Sequence, residues 1–379
     1  AGNLKDVILF KIYLDGDLPP GFKRLRNSTR ELLDEYRVYS GDNIQYEFID
    51  PSANPDEKEK INLYKQLSEK GLSPTNLEER EKSGRSQKLV FPGAVVTYKS
   101  RTVALQLLKS KIGAEPEVML NNSIEGLEYE ITSTIRRLTN DIAQGIAFLQ
   151  GQDELTTKQI TDAANGLNEF YRVDTVTIDG RLDALKHFKA LIIAKPRLAF
   201  TEKDKFVIDQ FIMHGGRVLW LIDRMEMDMD SLVETSTNIA VANDLNLDDM
   251  LFHYGVRVNP NLVLDLQSAP IPIITGMVGN QPKQDLFPWY YFPLINPTAK
   301  HPIVNNLNAI KGEFMSSLDT VEASGVKKTI LLSTSKYTKI QFPPARVSLN
   351  MLREQPDQLQ YNKLYVPVAV LLEGTFQSN

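Results

Sequence analysis

Apolar and polar positions follow three different rhythms along the 379 residues. The first holds to about residue 140. Lys5 to Leu14 (KDVILFKIYL) is a nearly continuous apolar run closed by Asp15-Gly16-Asp17 and Pro19-Pro20, which predicts a largely buried strand. From Phe22 to Tyr39, Leu25, Leu32, Leu33 and Tyr36 recur at helical spacing. Ile44 to Ile49 predicts a second strand, stopped by Asp50-Pro51. Asn54 to Lys70 predicts a helix with an acidic start and a lysine end, closed by Gly71. Strand-like runs follow at Lys88 to Phe91, Ala94 to Lys99 and Thr102 to Leu108, giving the order βαβαβββ. Leu120 to Leu138 carries Ile124, Leu127, Ile131, Ile135 and Leu138 on one face and predicts a helix that connects this unit to the next.

The second rhythm, from about 143 to 240, alternates short apolar runs with amphipathic stretches. GIAFL (Gly145 to Leu149), Val173 to Ile178, Ala190 to Ala194 and Arg217 to Asp223 predict strands. Helices are expected from Thr157 to Phe170, briefly near Leu182 to Lys186, and from Glu202 to His214, where Gly215-Gly216 ends the last one. This spacing implies βαβ units, right-handed crossovers and a doubly wound parallel sheet. After residue 241 the pattern breaks into short apolar runs among prolines, which predicts strands and long loops. The expected fold class is therefore α/β. Its expected domains are a first unit over 1–118, a connecting helix over 119–140, a doubly wound unit of flavodoxin-like or amidotransferase-like type over 141–240, and a strand- and loop-rich extension over 241–379.

Composition narrows the chemistry. The chain has no cysteine, which removes thiol nucleophiles, cysteine-ligated zinc, iron–sulfur clusters and CxxC redox pairs together. A net charge of −5 gives no electrostatic reason to expect nucleic acid, and no polybasic run in the sequence suggests an anionic membrane surface. The longest apolar stretches, such as Val366 to Leu372, fall short of a membrane helix, and no leader precedes Ala1. The two ends suit either cuts made in a longer protein or the bounds of a complete, processed domain.

In a doubly wound sheet, ligands sit outside the carboxyl ends of the strands, where the strand order reverses. That edge receives Gly151, Gln152, Asp153 and Glu154 after one strand, Lys195 and Arg197 after another, and Asp223 with Arg224 after a third. Such a mixed-charge set could hold a polar ligand. Solvated turns and helix N-termini give the same composition without a ligand. No GxxxxGK[ST] or GxGxxG cradle is present, no GxSxG elbow, and the four histidines (His187, His214, His253, His301) lack metal-ligand spacing. Asp153 and Glu154 are adjacent in a turn, so they point apart and do not make a carboxylate pair across a substrate. No catalytic residue, metal or cofactor is expected. The run Phe287-Pro288-Trp289-Tyr290-Tyr291-Phe292-Pro293 has two readings. Exposed, Trp289, Tyr290 and Tyr291 would form a partner or ligand surface; buried, they would plug a core.

The order of elements in the first unit resembles a thioredoxin-like fold, with Pro92 at the position of that fold's cis-proline and LDGDLP where its redox cysteines would lie. Longer stretches carry a second resemblance: KIYLDGDLPPGFKRLRNSTRELLDEYR, YEFIDPS, GLSPTNLEER, KLVFPGAVVTYKSR, LNNSIEGLEYEITSTIRRLT, IAFLQGQDEL and FIMHGGRVLWLID. These closely resemble the gliding-motility-associated ABC-transporter family, GldG. The resemblance implies an extracytoplasmic, periplasmic region tethered to the inner membrane by helices outside this chain. It also implies partnership with ABC permease and ATPase subunits. The middle region looks like the GIFT domain, for which sugar binding has been suggested, and is similar to class I glutamine amidotransferase folds. The nucleophile of those enzymes is a cysteine, so their activity does not carry over. Where relatives read GHGE, this chain reads Gly151-Gln152-Asp153-Glu154; Gln152 can hydrogen-bond but cannot titrate near neutrality.

Overall fold

The computed structural model describes residues 4, 6–81, 84–109, 115–139, 144–278, 281–305 and 307–379. The chain divides into two compact units, 1–143 and 144–379.

In the first unit, β1 (Ile8–Ile12) leads into α1 (Pro20–Ser40), β2 (Ile44–Phe48) and α2 (Glu57–Glu69). Proline at the start of α1 and left-handed Gly41 (φ 60°) at its end bound that helix; the Asp56 carboxylate caps α2 by accepting from Lys58 N–H at 2.8 Å. The chain continues through β3 (Thr75–Glu81), β4 (Gly84–Val90), β5 (Gly93–Tyr98) and β6 (Arg101–Gln106) to α3 (Pro116–Glu125) and α4 (Leu127–Thr139). β2-β1-β5-β6 form one sheet, with β2 parallel and β5 antiparallel to β1. β3 and β4 pair only with each other. Alternation within β1 sends Ile8, Phe10 and Ile12, each at most 1% exposed, into a core with Leu25 and Leu33 of α1 and Leu127, Ile131 and Leu138 of α4. Each such side chain contributes roughly 1.5–3 kcal/mol of transfer free energy. The other face meets α2 through Tyr13, Leu67 and Val95.

Two expectations change here. The stretch predicted as a connector breaks at Gly126 into α3 and α4, and its apolar residues belong to the first core; residue 140 lies outside the described residues. Pro92 does not carry a cis bond: the cis peptide among the described residues is Pro343–Pro344. Instead Gly93 N–H donates to Phe91 O at 2.8 Å, a γ-turn centred on Pro92 that suits the fixed φ of proline. The Pro92 carbonyl accepts from Leu107 and Leu108 N–H at 2.9 and 3.2 Å.

The second unit opens with β7 (Gly145–Leu149), α5 (Thr157–Asn168), β8 (Arg172–Val176), β9 (Ala190–Ala194), α6 (Glu202–Met213) and β10 (Arg217–Leu221). All four strands are parallel, in the order β10-β9-β7-β8, so the order reverses between β7 and β9. α5 covers one face through Ile160 against Ile146, Phe148 and Ile192. α6 and the helix Asp248–His253 cover the other through Val207, Ile208, Met250 and Leu251 against Ala147, Leu149, Leu191 and Ile193. The segment 182–187 is turn, not the short helix expected there. At the end of α6, Gly215 (φ 83°) and Gly216 donate to Ile212 O and Phe211 O at 2.9 and 2.8 Å, a Schellman closure.

The rest of this unit is antiparallel and long-range. Thr237–Ala242 pairs with Ala345–Ser348, Val256–Val258 with Leu318–Thr320, Leu262–Asp265 with Thr338–Gln341, and Val326–Ser333 with Pro367–Gly374. Ser268–Val278 and Gln281–Ile295 form a long ribbon. Its base settles the two readings of the aromatic run. Trp289 is 0%, Tyr291 2% and Phe292 4% exposed, in a third core with Leu262, Leu264, Phe314 and Val347. Trp289 and Tyr291 are therefore not a partner or ligand surface, and Tyr290 is half-buried with its ring edge-to-face on Tyr361 at 5.9 Å. Strand alternation and the closing prolines turn this base inward. The outer half of the ribbon exposes Ile274, Met277 and Leu286.

Candidate functional site

The reversal between β7 and β9 puts the loops after these strands side by side, and main-chain bonds join them. Gln152 O accepts from Arg197 N–H at 2.8 Å and from Leu198 N–H at 3.0 Å; Leu155 N–H donates to Ala194 O at 2.9 Å. Lys195 N–H in turn donates to Leu221 O at 2.8 Å, tying the β9 loop to the end of β10. Asp153 (φ 54°) and Lys195 (φ 55°) take the left-handed conformation that such tight loops demand.

Glu154 is 6% exposed and folds back on its own turn: Oε2 accepts from Gly151 and Gln152 N–H at 2.9 and 2.8 Å. Its Oε1 is buried and has no hydrogen-bond partner among the described residues. Asp204, in the first turn of α6 and 5% exposed, joins three loops. Its Oδ1 accepts from Gly180 N–H at 3.1 Å, and its Oδ2 from Thr201 Oγ1 at 3.0 Å and Gln152 Nε2 at 3.4 Å. Thr201 reciprocates by accepting from Asp204 N–H. Lys195 Nζ pairs with Asp223 at 3.1 Å. Burial pushes the Asp223 carboxyl above its ordinary range, against the opposing pull of Lys195, and Glu313 adds to the rise. Arg197 lies 3.7 Å from Asp153 on the surface, a pair worth little in water.

The structure thus brings Gln152, Asp153, Glu154, Lys195, Arg197 and Asp223 to one edge. It takes Arg224 away from it. The Arg224 side chain, 6% exposed, forks onto both carboxylate oxygens of Asp248 in the first turn of the neighbouring helix. Adjacent residues leaving a strand point to opposite sides, so Asp223 and Arg224 could not both serve the edge. Thr201 ahead of an apolar run reads in the sequence as the cap of this helix, and the structure bears that out; sequence reasoning missed Asp204, although Thr-x-x-Asp is a capping signature.

Chemically, this edge is occupied with itself. Both Asp204 oxygens and the Lys195–Asp223 pair are spent on neighbouring loops, and one Glu154 oxygen on its own turn. No group of three or more His, Asp or Glu side chains suited to a metal occurs among the described residues. A recess of about 460 Å3 lies elsewhere, on the first unit's sheet beside Lys11, Tyr13, Lys70 and Thr97. No helix among the described residues is long and apolar enough to cross a membrane.

The comparisons with known proteins fit the division of the chain. Residues 1–97 match a domain of unknown function, DUF7088. No curated protein matches the chain. It is similar to a solved structure of the mmIFT52 N-terminal domain at 18% identity, with 54% of this chain and 77% of that one covered and a TM-score of 0.37. Residues 143–379, more than half the chain, match the family described as ABC-type uncharacterized transport system, and the chain belongs to that family.

Proposed function

We propose that the chain is a non-catalytic accessory subunit of a membrane ABC transporter of the gliding-motility GldG type, held on the periplasmic side and docked to the permease and ATPase subunits. The observation that carries this reading is the family match over residues 143–379. Two features support it. The place where a doubly wound sheet would present catalytic groups is spent on internal hydrogen bonds. The outer ribbon holds Ile274, Met277 and Leu286 in solvent, at 63%, 64% and 69% exposure, apolar residues available to a partner. Mild crosslinking of the full-length, membrane-tethered protein in its own cells, followed by mass spectrometry, is expected to recover an ABC permease and ATPase. Efficient crosslinking that yields no transporter subunit would sink the reading.

A second reading has one observation in its favour. The buried, unpartnered Oε1 of Glu154 can accept a hydrogen bond from a hydroxyl, as a glycan or small polar solute would supply at the β7–β9 edge. On this reading, a glycan found by array screening loses affinity at least tenfold with Glu154→Ala and several-fold with Arg197→Ala. Unchanged binding by both variants would remove this edge from consideration.

A further inference from the structure

We infer that the paired loops 335–338 and 363–366 form a contact surface for an anionic lipid bilayer. The two loops meet at an antiparallel bridge between Thr338 and Lys363, with N–H···O bonds of 3.2 and 2.9 Å. Thr338 is 0% exposed and hydrogen-bonds inward to Asp265 and Thr334. Its neighbour Tyr337 and the opposing Leu364 therefore point the other way, into solvent, at 47% and 65% exposure. Tyr365 follows at 62% exposure, fixed by its N–H to Ser335 O at 3.0 Å. Its φ of 51° lies in the left-handed region, which is uncommon for a bulky side chain. Leu359 stands 85% exposed one short helical turn upstream.

Charge selects the occupant. The stretches 335–342 and 358–366 contain Lys336, Lys339 and Lys363 and no Asp or Glu, in a chain whose net charge is −5. Lys336 Nζ lies 5.0 Å from the Tyr337 ring. Asp357, just before the second stretch, is turned onto Leu359 N–H and Gln360 Nε2, and Asp265 is buried beneath the loops. Two tyrosines with apolar rings and polar tips, two leucines and a lysine fringe suit the boundary between headgroups and acyl chains. The rings and leucines enter, and the ammonium groups meet anionic headgroups. Membership of a transport-system family brings a bilayer within reach. This contact stands whether or not the permease docks as proposed above.

The test is sedimentation of the 379-residue chain with vesicles of phosphatidylcholine alone and of phosphatidylcholine with about 30% phosphatidylglycerol, at low and high salt. Wild type is expected to sediment with the anionic vesicles, more weakly in high salt, and little with the neutral ones. Leu364→Ser with Tyr365→Gly should lower the bound fraction about tenfold without lowering Tm, because glycine relieves the positive φ. Lys336→Gln with Lys363→Gln should abolish the preference for anionic vesicles. Leu182→Ser, at a site 76% exposed elsewhere on the unit, should behave as wild type. Equal sedimentation of wild type with both vesicle types, or a Leu364/Tyr365 variant that binds as wild type does, would overturn the inference. So would protection of Tyr337 and Tyr365 by a protein in the solubilised complex without any vesicle binding.

Discussion

Asp209→Ala should lower the stability of the second unit by about 3 kcal/mol at pH 7, a fall in Tm on the order of 6–12 °C for a unit of this size. Asp209 is 2% exposed, on α6. Its carboxylate accepts from Tyr254 Oη at 2.6 Å, Ser378 Oγ at 2.6 Å, Asn379 N–H at 3.0 Å and Gln210 Nε2 at 3.2 Å. Removing it orphans a buried phenol and releases the segment that carries Phe376, whose ring packs edge-to-face on Tyr254 at 5.4 Å. The pH dependence has a definite sign. Burial alone would raise the Asp209 carboxyl, but Ser378, Tyr254, Asn379 and Gln210 outweigh it and hold it below the ordinary range. Burial and the bond to Asp209 together push the Tyr254 phenol up. A carboxylate held low stabilises the fold above its unfolded value of about 3.9, and that contribution is lost as pH falls through the folded value. The gap between wild type and Asp209→Ala should therefore be full at pH 7 and close on acidification below about pH 4. Calorimetry across that range reads both; a gap that is constant with pH would mean that the carboxylate's charge plays no part.

The second large effect is expected at the base of the ribbon. Trp289→Ala should cost about 3–5 kcal/mol, the usual range for emptying a fully buried aromatic site. The indole lies among Leu262, Leu264 and Phe314, with the Tyr291 ring 5.2 Å away. Trp289→Phe should cost about 1 kcal/mol or less. It keeps much of the volume and discards the indole Nε1, which is buried with no partner among the described residues. Thermal unfolding of both variants separates core from surface: an exposed tryptophan would give less than about 0.5 kcal/mol for either change.

The parts of the fold that were legible share a physical cause. Strands buried on both faces read as unbroken apolar runs, and GIAFL and ALIIA are the two central strands of the parallel sheet. β3 and β4, TNLEERE and GRSQKLV, went unseen as a hairpin because their polar composition shows no apolar alternation; only the apolar end of β4, within Lys88 to Phe91, read as strand. The later strands are two to eight residues long apart from the ribbon, and most of their partners lie tens of residues away; no local pattern encodes such pairings. At the candidate edge, strand order was enough to bring the three loops together. Side-chain direction was not legible, so Arg224 was placed with Asp223 although it serves Asp248. Asp204 sits inside a helix pattern, and what reveals its role is the Gly180 loop reaching it from another part of the chain.

The buried carboxylate on α6 also sets an order of events during synthesis. The first unit closes through pairings within residues 1–143, so it can complete its core while the rest is still being made. The second unit cannot. Strand Thr237–Ala242 waits for Ala345–Ser348, Val326–Ser333 waits for Pro367–Gly374, and Asp209 waits for Ser378 and Asn379. Until residues 367–379 have been made, the apolar rows of the second unit stay open, which leaves this part of the chain exposed to aggregation for longer than the first unit.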